Sequence, residues 1–300
     1  MLKSLASACL TAALLATAAC GSDTAAQGGK PDVIASFYPL AWVTGQIGGQ
    51  NVSVSTLTKP GTEPHDLELS PRQVAQISDS AFVVYLRELQ PAVDDAVSRQ
   101  AADKSLDAAA QVRTILFAGQ SGGGGKASYD PHLWLDPVRL ATVAKAVGDR
   151  LARIDPGHAA DYRTGTSRLV GELTSLDGEF ERGLASCTRK TIVTSHEAFG
   201  YLADRYGLRQ VGITGIGPDG DPSPHRVAEL TELVRKEGIS TVFTETLVSP
   251  KTAQTLADEA GVRTAVLDPV EGVTAAGQDY LSVMRENLTV LRAALTCPER

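Results

Sequence analysis

Five histidines and four cysteines are the residues of this 300-residue sequence whose chemistry can be judged one at a time. Three of the histidines stand where a binding site can form. His65 follows the second predicted strand in a loop broken by prolines, His132 ends a glycine-rich loop, and His196 directly follows a predicted strand. Asp268 comes at the end of the last predicted strand. Because ligand sites in parallel α/β sheets collect at the carboxyl ends of strands, these positions favour a shared site.

Three imidazoles and one carboxylate make a set of nitrogen and oxygen donors that suits four-coordinate zinc. Each histidine taken alone is more often a structural or solvent-facing residue than a metal ligand, and no HExxH helix is present. The histidines are far apart in the sequence, so only the fold can bring them together. His158 and His225 stand at predicted helix starts, and we interpret them as exposed residues of helix caps.

The first twenty residues predict an export signal. Lys3 precedes an uncharged run rich in leucine and alanine that ends in small residues before Cys20. The run is shorter than the ~20 apolar residues of a membrane-spanning helix. Residues 17–20, Thr-Ala-Ala-Cys, resemble a bacterial lipobox, which implies cleavage before Cys20 and a diacylglycerol on its sulfur. Thr17 stands where leucine is commonest, which leaves ordinary cleavage without lipid as the alternative.

The remaining cysteines form one pair if the signal is cleaved in this way. Cys9 leaves with the signal and Cys20 carries lipid, so that Cys187 and Cys297 remain. Export places both thiols in an oxidising compartment, which predicts a disulfide between them. Two unpaired buried thiols are the alternative. The sequence contains no CxxC pattern, so it offers neither a thiolate zinc cluster nor a thioredoxin-type site.

Alternating strand-type and helix-type segments must position these residues. Several predicted helices open with Ser-Pro, which places an N-cap before a proline at the first helical position. The alternation predicts an α/β fold with mostly parallel sheets covered by helices. The predicted strands are residues 33–36, 52–58, 82–86, 112–118, 191–195, 209–214, 241–245 and 263–269.

The alternation is interrupted once, between Pro137 and about Ser186, where the periodicity is helical. A helix from His158 to Ala185 would be about 40 Å long and could bridge two lobes. We therefore expect two lobes, each a mostly parallel four-stranded sheet covered by helices, joined by a long rigid helix. The expected boundaries are a signal peptide at 1–19, a lipidated tether at 20–30, an N-terminal α/β lobe at 31–155, the connecting helix at 156–186 and a C-terminal α/β lobe at 187–300. Residues 119–130, rich in glycine, predict a flexible loop in the first lobe.

Composition argues against several classes of function. The formal net charge is −7, whereas proteins that bind nucleic-acid phosphates are usually positively charged. Aromatic residues make up only 5% of the chain, too few for several stacking platforms for bases or sugars. The sequence also lacks the GxxxxGK[ST] pattern of a P-loop, so the chain is not itself an ATPase of that type.

Five blocks of the sequence, in this order and spacing, resemble the metal-binding receptor proteins of bacterial ABC importers, specifically the zinc receptors of the ZnuA-like type. The blocks are PGTEPHDLELSPRQV, DPHLWLDP, SHEAFGYLADRYGL, VFTETLVSPKTAQTLA and VLDP. The resemblance covers about Pro31 to Leu295. It implies two α/β lobes joined by a rigid helix, with one metal ion held between them. The ligands that it implies are His65, His132, His196 and Asp268.

The resemblance also bears on the choice of metal. Manganese receptors of the family usually have glutamate where this chain has His196, so His196 favours zinc. In some relatives a residue beside the first histidine, or a water, completes the site, which makes Glu63, Asp66 and Glu197 the alternative carboxylates. Many zinc receptors carry a loop rich in histidine and acidic residues before the second ligand block. Here that place is taken by residues 119–130, which contain no histidine.

We therefore expect an exported receptor, not an enzyme, that binds one Zn²⁺ per chain and delivers it to an ABC permease driven by a separate ATPase. The chain would be a monomer, held by lipid on Cys20 at the outer face of the cytoplasmic membrane, or periplasmic. Zinc affinity should fall below a pH of about 6.5, because imidazole ligands must be neutral. One alternative is a secreted zinc hydrolase with three histidines, a water, and Glu63 or Glu197 as base. Another is a zinc or manganese metallochaperone that uses the same site.

Overall fold

The computed structural model of the protein describes residues 29–116, 128–218, 220–272 and 277–298. Eight strands in these residues form two four-stranded parallel sheets, which confirms the predicted α/β architecture. The strands are β1 Asp32–Ala35, β2 Ser53–Thr56, β3 Phe82–Tyr85, β4 Ser105–Asp107, β5 Thr191–Thr194, β6 Arg209–Gly212, β7 Thr241–Thr244 and β8 Arg263–Val266. The first sheet has the order β2-β1-β3-β4 and the second the equivalent order β6-β5-β7-β8.

Helices cover both sheets. Within the described residues they are α1 Tyr38–Gly48, α2 Pro71–Asp79, α3 Pro91–Gln100, α4 Pro137–Ile154, α5 Ala159–Leu184, α6 Gly200–Tyr206, α7 Pro224–Lys236, α8 Lys251–Ala260 and α9 Tyr280–Ala294. Two of the Ser-Pro starts behave as predicted. Ser70 caps α2 by accepting the Gln73 backbone N–H, and Ser223 caps α7 by accepting that of Arg226.

The central strands of each sheet are the apolar ones. β1, β3, β5 and β7 each have a neighbour on both sides, and their residues are almost all buried. Strands that helices cover on both faces have continuous runs of apolar residues in the sequence. These four strands could therefore be predicted well. The edge strands β2, β4, β6 and β8 are mostly exposed or half-buried.

The prediction of a strand at residues 112–118 is wrong. The fourth strand of the first sheet is β4, which pairs in parallel with β3. In the described part of the 112–118 segment, Leu116 makes a single antiparallel bridge to Tyr129 and is 78% exposed. The short edge sequence Ser-Leu-Asp is less apolar than this later run, so the apolar pattern favours the wrong segment. Of the predicted flexible loop, residues 119–127 lie outside the described residues.

Helix α5 joins the two lobes, close to the predicted range of 158–185. It has 26 residues and buries Leu169, Leu173 and Leu176. It packs against α1 and α4 of the first lobe and against α9, which follows the second sheet. The largest apolar cluster likewise includes side chains from both lobes, such as Phe37 and Phe199. The two sheets are therefore connected by a shared core as well as by a helix.

Cys187 and Cys297 form a disulfide, which confirms the predicted pairing. The bridge ties the segment after α5 to the segment after α9, across 110 residues of sequence. The chain-entropy model gives a loop of this length a stabilisation on the order of 4 to 5 kcal/mol. The predicted signal peptide and Cys20 lie outside the described residues. Within the described parts, no helix combines the length and apolar character needed to cross a membrane.

Candidate metal centre

Three histidines and one glutamate, carried by four separate loops, meet at one point. His65 lies in the loop after β2, His196 shortly after β5, and Glu271 in the loop after β8. His132 stands directly before a short 3-10 turn, Leu133–Leu135. One donor atom from each of the four side chains lies within 4.8 Å of the others. The structure thus brings together the three histidines singled out in the sequence.

The distances between the donor atoms resemble the edges of a tetrahedron. Nε2 of His132 lies 3.3 Å from Nε2 of His65 and 3.3 Å from Nε2 of His196. Oε1 of Glu271 lies 3.4, 3.5 and 3.6 Å from Nε2 of the three histidines, in chain order. A regular tetrahedron with zinc bonds of about 2.0–2.1 Å has edges of about 3.3–3.4 Å. The arrangement therefore fits a small four-coordinate cation.

Carboxylates determine which ring nitrogen of two histidines carries the proton. Oδ1 of Asp130 accepts from both the backbone N–H and Nδ1 of His132, at 2.9 and 2.8 Å. Glu245 does the same for His196, with Oε1 at 3.0 Å from the backbone nitrogen and Oε2 at 2.6 Å from Nδ1. Since an ionised carboxylate only accepts, Nδ1 of each ring carries a hydrogen, and Nε2 directs a lone pair at the other donors once it has lost any proton of its own.

His65 is held through its backbone. Its N–H donates to Oε1 and Oε2 of Glu63, at 3.0 and 3.1 Å. The preceding carbonyl, of Pro64, accepts from Nε2 of Gln90 at 3.1 Å, and that amide is completely buried. The His65 side chain is 11% exposed, against 0–1% for the other three donors. The site therefore opens to solvent on the His65 side.

The charges of the site depend on one another. Burial raises the pKa of Glu271, but the three surrounding histidines outweigh it and hold that pKa well below its usual range. Burial lowers the pKa of His196, but the charges and hydrogen bonds of Glu245 and Glu271 raise it to about 10. Among the described residues, Oε1 of Glu271 has no hydrogen-bond partner. A divalent cation would satisfy this buried oxygen and the imidazole lone pairs at once.

Asp268, the carboxylate expected as fourth ligand, lies outside this group, whose fourth member is Glu271. Oδ1 of Asp268 accepts the backbone N–H of Val270 at 2.7 Å, and Oδ2 accepts from Oγ1 of Thr246 at 3.1 Å. Both oxygens are thus used within the surrounding loops. Glu271 was missed because the VLDP block ends before it, although it stands on the same loop after a predicted strand.

The alternative carboxylates Glu63, Asp66 and Glu197 also lie outside the group of four donors. Glu63 binds the backbone of His65, and burial raises its pKa to about 7. Burial likewise raises the pKa of Glu197. These positions indicate supporting or surface roles rather than direct donation to the centre.

The two remaining histidines occupy helix starts, as predicted. Nδ1 of His158 lies 2.8 Å from Oδ2 of Asp155, immediately before α5, and its side chain is 50% exposed. His225 is exposed in the first turn of α7. Neither belongs to the group of four donors.

Known proteins resemble this chain over nearly its whole length. The zinc-binding protein AdcA of Streptococcus pyogenes is 37% identical over an alignment 287 residues long, and the alignment covers 88% of this chain and 56% of that protein. This chain therefore spans about half the length of the AdcA relatives that it matches. The high-affinity zinc uptake system protein ZnuA of Bacillus subtilis is 31% identical over an alignment 305 residues long, and the alignment covers 95% of this chain and 96% of that protein.

A solved structure of a relative and a family model both agree with these sequence matches. The Zn(II)-bound ZnuA-like domain of AdcA from Streptococcus pneumoniae superposes with a TM-score of 0.76 at 36% identity, covering 89% of this chain and 99% of that chain. Residues 33–294 match the ZnuA family, described as zinc-uptake complex component A, periplasmic. The resemblance seen in the five sequence blocks is thereby confirmed, and this chain belongs to the ZnuA family.

Proposed function

We propose that the chain binds one Zn²⁺ ion between its two lobes, through Nε2 of three histidines and one carboxylate oxygen of Glu271. The observation that carries this proposal is the near-tetrahedral spacing of the four donor atoms, between 3.3 and 3.6 Å wherever it is measured. A set with three imidazoles suits zinc better than manganese or magnesium, which prefer oxygen. The zinc-binding names of the relatives support the same ion.

A set of four protein ligands favours a receptor over a zinc hydrolase. Catalytic zinc keeps one coordination position open for water or substrate. The proposed ligands fill all four positions of a tetrahedral ion. Three of these side chains are at most 1% exposed, which leaves little room for a substrate beside the metal. The ion is then the cargo of the protein rather than its catalyst.

Delivery of the ion to an ABC permease, driven by a separate ATPase, is the transport step that we propose. The family's description as a component of a periplasmic zinc-uptake complex supports it. His65 and His132 come from the first lobe, while His196 and Glu271 come from the second. Separation of the lobes would divide the ligand set and release zinc, so a permease that binds the open form better would promote unloading.

The mature chain acts, in this proposal, as a monomer outside the cytoplasm. Lipid on Cys20 would anchor it to the outer face of the cytoplasmic membrane, and the Thr-Ala-Ala-Cys pattern supports that attachment. Without lipid the chain would be periplasmic. We keep residues 31–155 and 187–300 as the proposed lobes and 156–186 as their connection.

Zinc titration of the purified chain against a competing chromophoric chelator tests the binding step. We expect one zinc per chain, and we expect His196→Ala to lose more than about 100-fold in affinity, beyond the 10–100-fold typical of losing a supporting contact. His225→Ala, which changes an exposed histidine of α7, is the matched control and should bind as the wild type does. Equal effects of the two substitutions would contradict the proposed site.

Zinc uptake by cells that lack the gene tests the transport step. In chelator-treated medium the wild-type chain should restore uptake, and His196→Ala should not do so at equal protein level. Restoration by both chains would argue against delivery of zinc from this site.

A further inference from the structure

Glu271 differs from the three histidines in how it is held. The rings of His132 and His196 are oriented by Asp130 and Glu245, and the backbone of His65 is bound by Glu63. By contrast, Oε1 of Glu271 has no hydrogen-bond donor among the described residues. The conformation of the backbone that carries Glu271 is therefore important for the position of this oxygen.

That backbone is unusual directly before Glu271. Val270 has a φ of 58°, in the left-handed region that favours glycine. A β-branched side chain makes this conformation unfavourable, and such conformations persist only where the surrounding structure enforces them. Val270 is also completely buried within the largest apolar cluster.

Hydrogen bonds hold each residue of the turn 268–270. Oδ1 of Asp268 accepts the Val270 N–H at 2.7 Å. The side chain of Asn287, on α9, accepts the Asp268 N–H at 2.9 Å and donates to the Asp268 carbonyl at 2.7 Å. The indole N–H of Trp134 donates to the Pro269 carbonyl at 2.7 Å. The conformation of Val270 is thus enforced from two sides.

The contact with Trp134 connects this turn to the loop of His132. The rings of Trp134 and His132 have centroids 5.1 Å apart, and the Trp134 carbonyl accepts from the Tyr280 hydroxyl at 2.6 Å. Both Trp134 and Asn287 are at most 2% exposed. The turn that carries the carboxylate and the loop that carries one imidazole are therefore fixed against each other.

We propose that Asp268 and Val270 are positioning residues, which set Oε1 of Glu271 at ligand distance from the histidines through the strained turn at 268–270. This inference rests on the proposed function, in which Glu271 binds the zinc ion. Asp268 acts here as an acceptor for the Val270 N–H. An asparagine can also accept that N–H through Oδ1, although its neutral amide oxygen is a much poorer zinc ligand than a carboxylate.

Substitutions at Asp268 in the full chain distinguish a role as hydrogen-bond acceptor for the Val270 N–H from a role as carboxylate ligand. We expect Asp268→Ala to lower zinc affinity by about 10–100-fold, as losses of supporting groups around metal ligands do. Asp268→Asn should restore affinity to within about threefold of the wild type, since the acceptor is kept. Thr246→Ala is the matched control, because Thr246 is exposed and bonds only the other oxygen of Asp268. It should bind zinc as the wild type does.

The absorption spectrum of Co²⁺ bound in place of zinc reports the geometry of the ligands. If Asp268 only stabilised the fold, its substitution would leave this spectrum unchanged. We expect an altered spectrum for Asp268→Ala and a wild-type spectrum for Asp268→Asn. Asn287→Ala, which removes both hydrogen bonds to the Asp268 backbone, should shift the spectrum in the same direction as Asp268→Ala. A lower melting temperature with unchanged affinity and spectrum in these variants would overturn the proposal.

Glu271→Ala distinguishes failure of the inference from failure of the proposed function. Full zinc affinity in Glu271→Ala would refute Glu271 as a ligand, and the proposed site with it. If Glu271→Ala loses affinity while Asp268→Ala does not, only the positioning role is overturned. If Asp268→Asn loses as much affinity as Asp268→Ala, Asp268 acts through its charge, and the positioning role is again overturned.

Discussion

Oε2 of Glu245 lies 2.6 Å from Nδ1 of His196, and both side chains are at most 1% exposed. His196 follows β5 and Glu245 follows β7, two strands that lie side by side in the second sheet. The pairing of these strands therefore brings the imidazole and the carboxylate together. Carboxylates that bind the second nitrogen of a ligand histidine orient the ring and raise its basicity.

Loss of this carboxylate should weaken zinc binding. We expect Glu245→Ala to lower zinc affinity by about 10–100-fold, because the His196 ring would lose both its orientation and its proton acceptor. Glu197→Ala serves as the control, since Glu197 is a half-buried carboxylate next to His196 in sequence and outside the group of four donors. Chelator competition titrations measure both affinities. An equal loss in the two variants would show that nearby negative charge, rather than the 2.6 Å contact, supports His196.

Replacement of His196 by a carboxylate should change the preference among metals. His196→Glu would give two imidazoles and two carboxylates, a harder donor set that suits Mn²⁺ better than the wild-type set does. Glu245 would then face a second carboxylate, so overall affinity should fall as well. Parallel titrations with Zn²⁺ and Mn²⁺ give the ratio of affinities. A ratio equal to that of the wild type would count against zinc selection by His196.

Zinc affinity should decrease as the pH decreases. Each imidazole must give up any proton on Nε2 before that atom can bind the ion, so protons compete with zinc. Because Glu245 and Glu271 raise the pKa of His196 to about 10, against the opposing effect of burial, this competition should already operate near neutral pH. Calorimetry in buffers with different ionisation enthalpies measures the protons released on binding. Affinity and proton release that do not vary between pH 6 and 8 would contradict this expectation.

The disulfide should contribute to the stability of the fold. Replacing both Cys187 and Cys297 by serine should lower the free energy of unfolding by about 2–5 kcal/mol, since the unfolded chain would gain conformational freedom. Urea unfolding of the double variant and of the wild type, with and without reductant, measures the difference. Reduced wild type should match the double variant. Equal stability of oxidised wild type and double variant would mean that the bridge is dispensable.

Much of the metal centre could be predicted from the sequence. The positions of His65 and His196 after strands were enough to place them at one edge of their sheets, because parallel strands share the direction of their carboxyl ends. The cysteine pair followed from the small number of cysteines and from export. The central strands followed from their apolar runs.

The remaining features depend on contacts that no local pattern encodes. Asp268 and Glu271 are both carboxylates of the loop after β8, and of the two only Glu271 belongs to the group of four donors. Val270, between them, has a φ of 58° that no local sequence pattern predicts. Strand β4 is a short edge strand with little apolar character. The more apolar segment 112–118 therefore resembles a strand more closely in the sequence. Glu245 becomes the partner of His196 only through the fold, because the two are 49 residues apart in the sequence.

X-ray absorption spectroscopy at the zinc edge, with metal analysis of the same sample, tests the central claim most directly. The full chain loaded with zinc should contain one ion, bound by three imidazoles and one carboxylate oxygen at about 2.0–2.2 Å. The Glu271→Ala chain should lose the oxygen contribution from the carboxylate, and the Asp268→Asn chain should retain it. Fewer than three imidazoles at the zinc, or a spectrum that Glu271→Ala leaves unchanged, would contradict the proposed site.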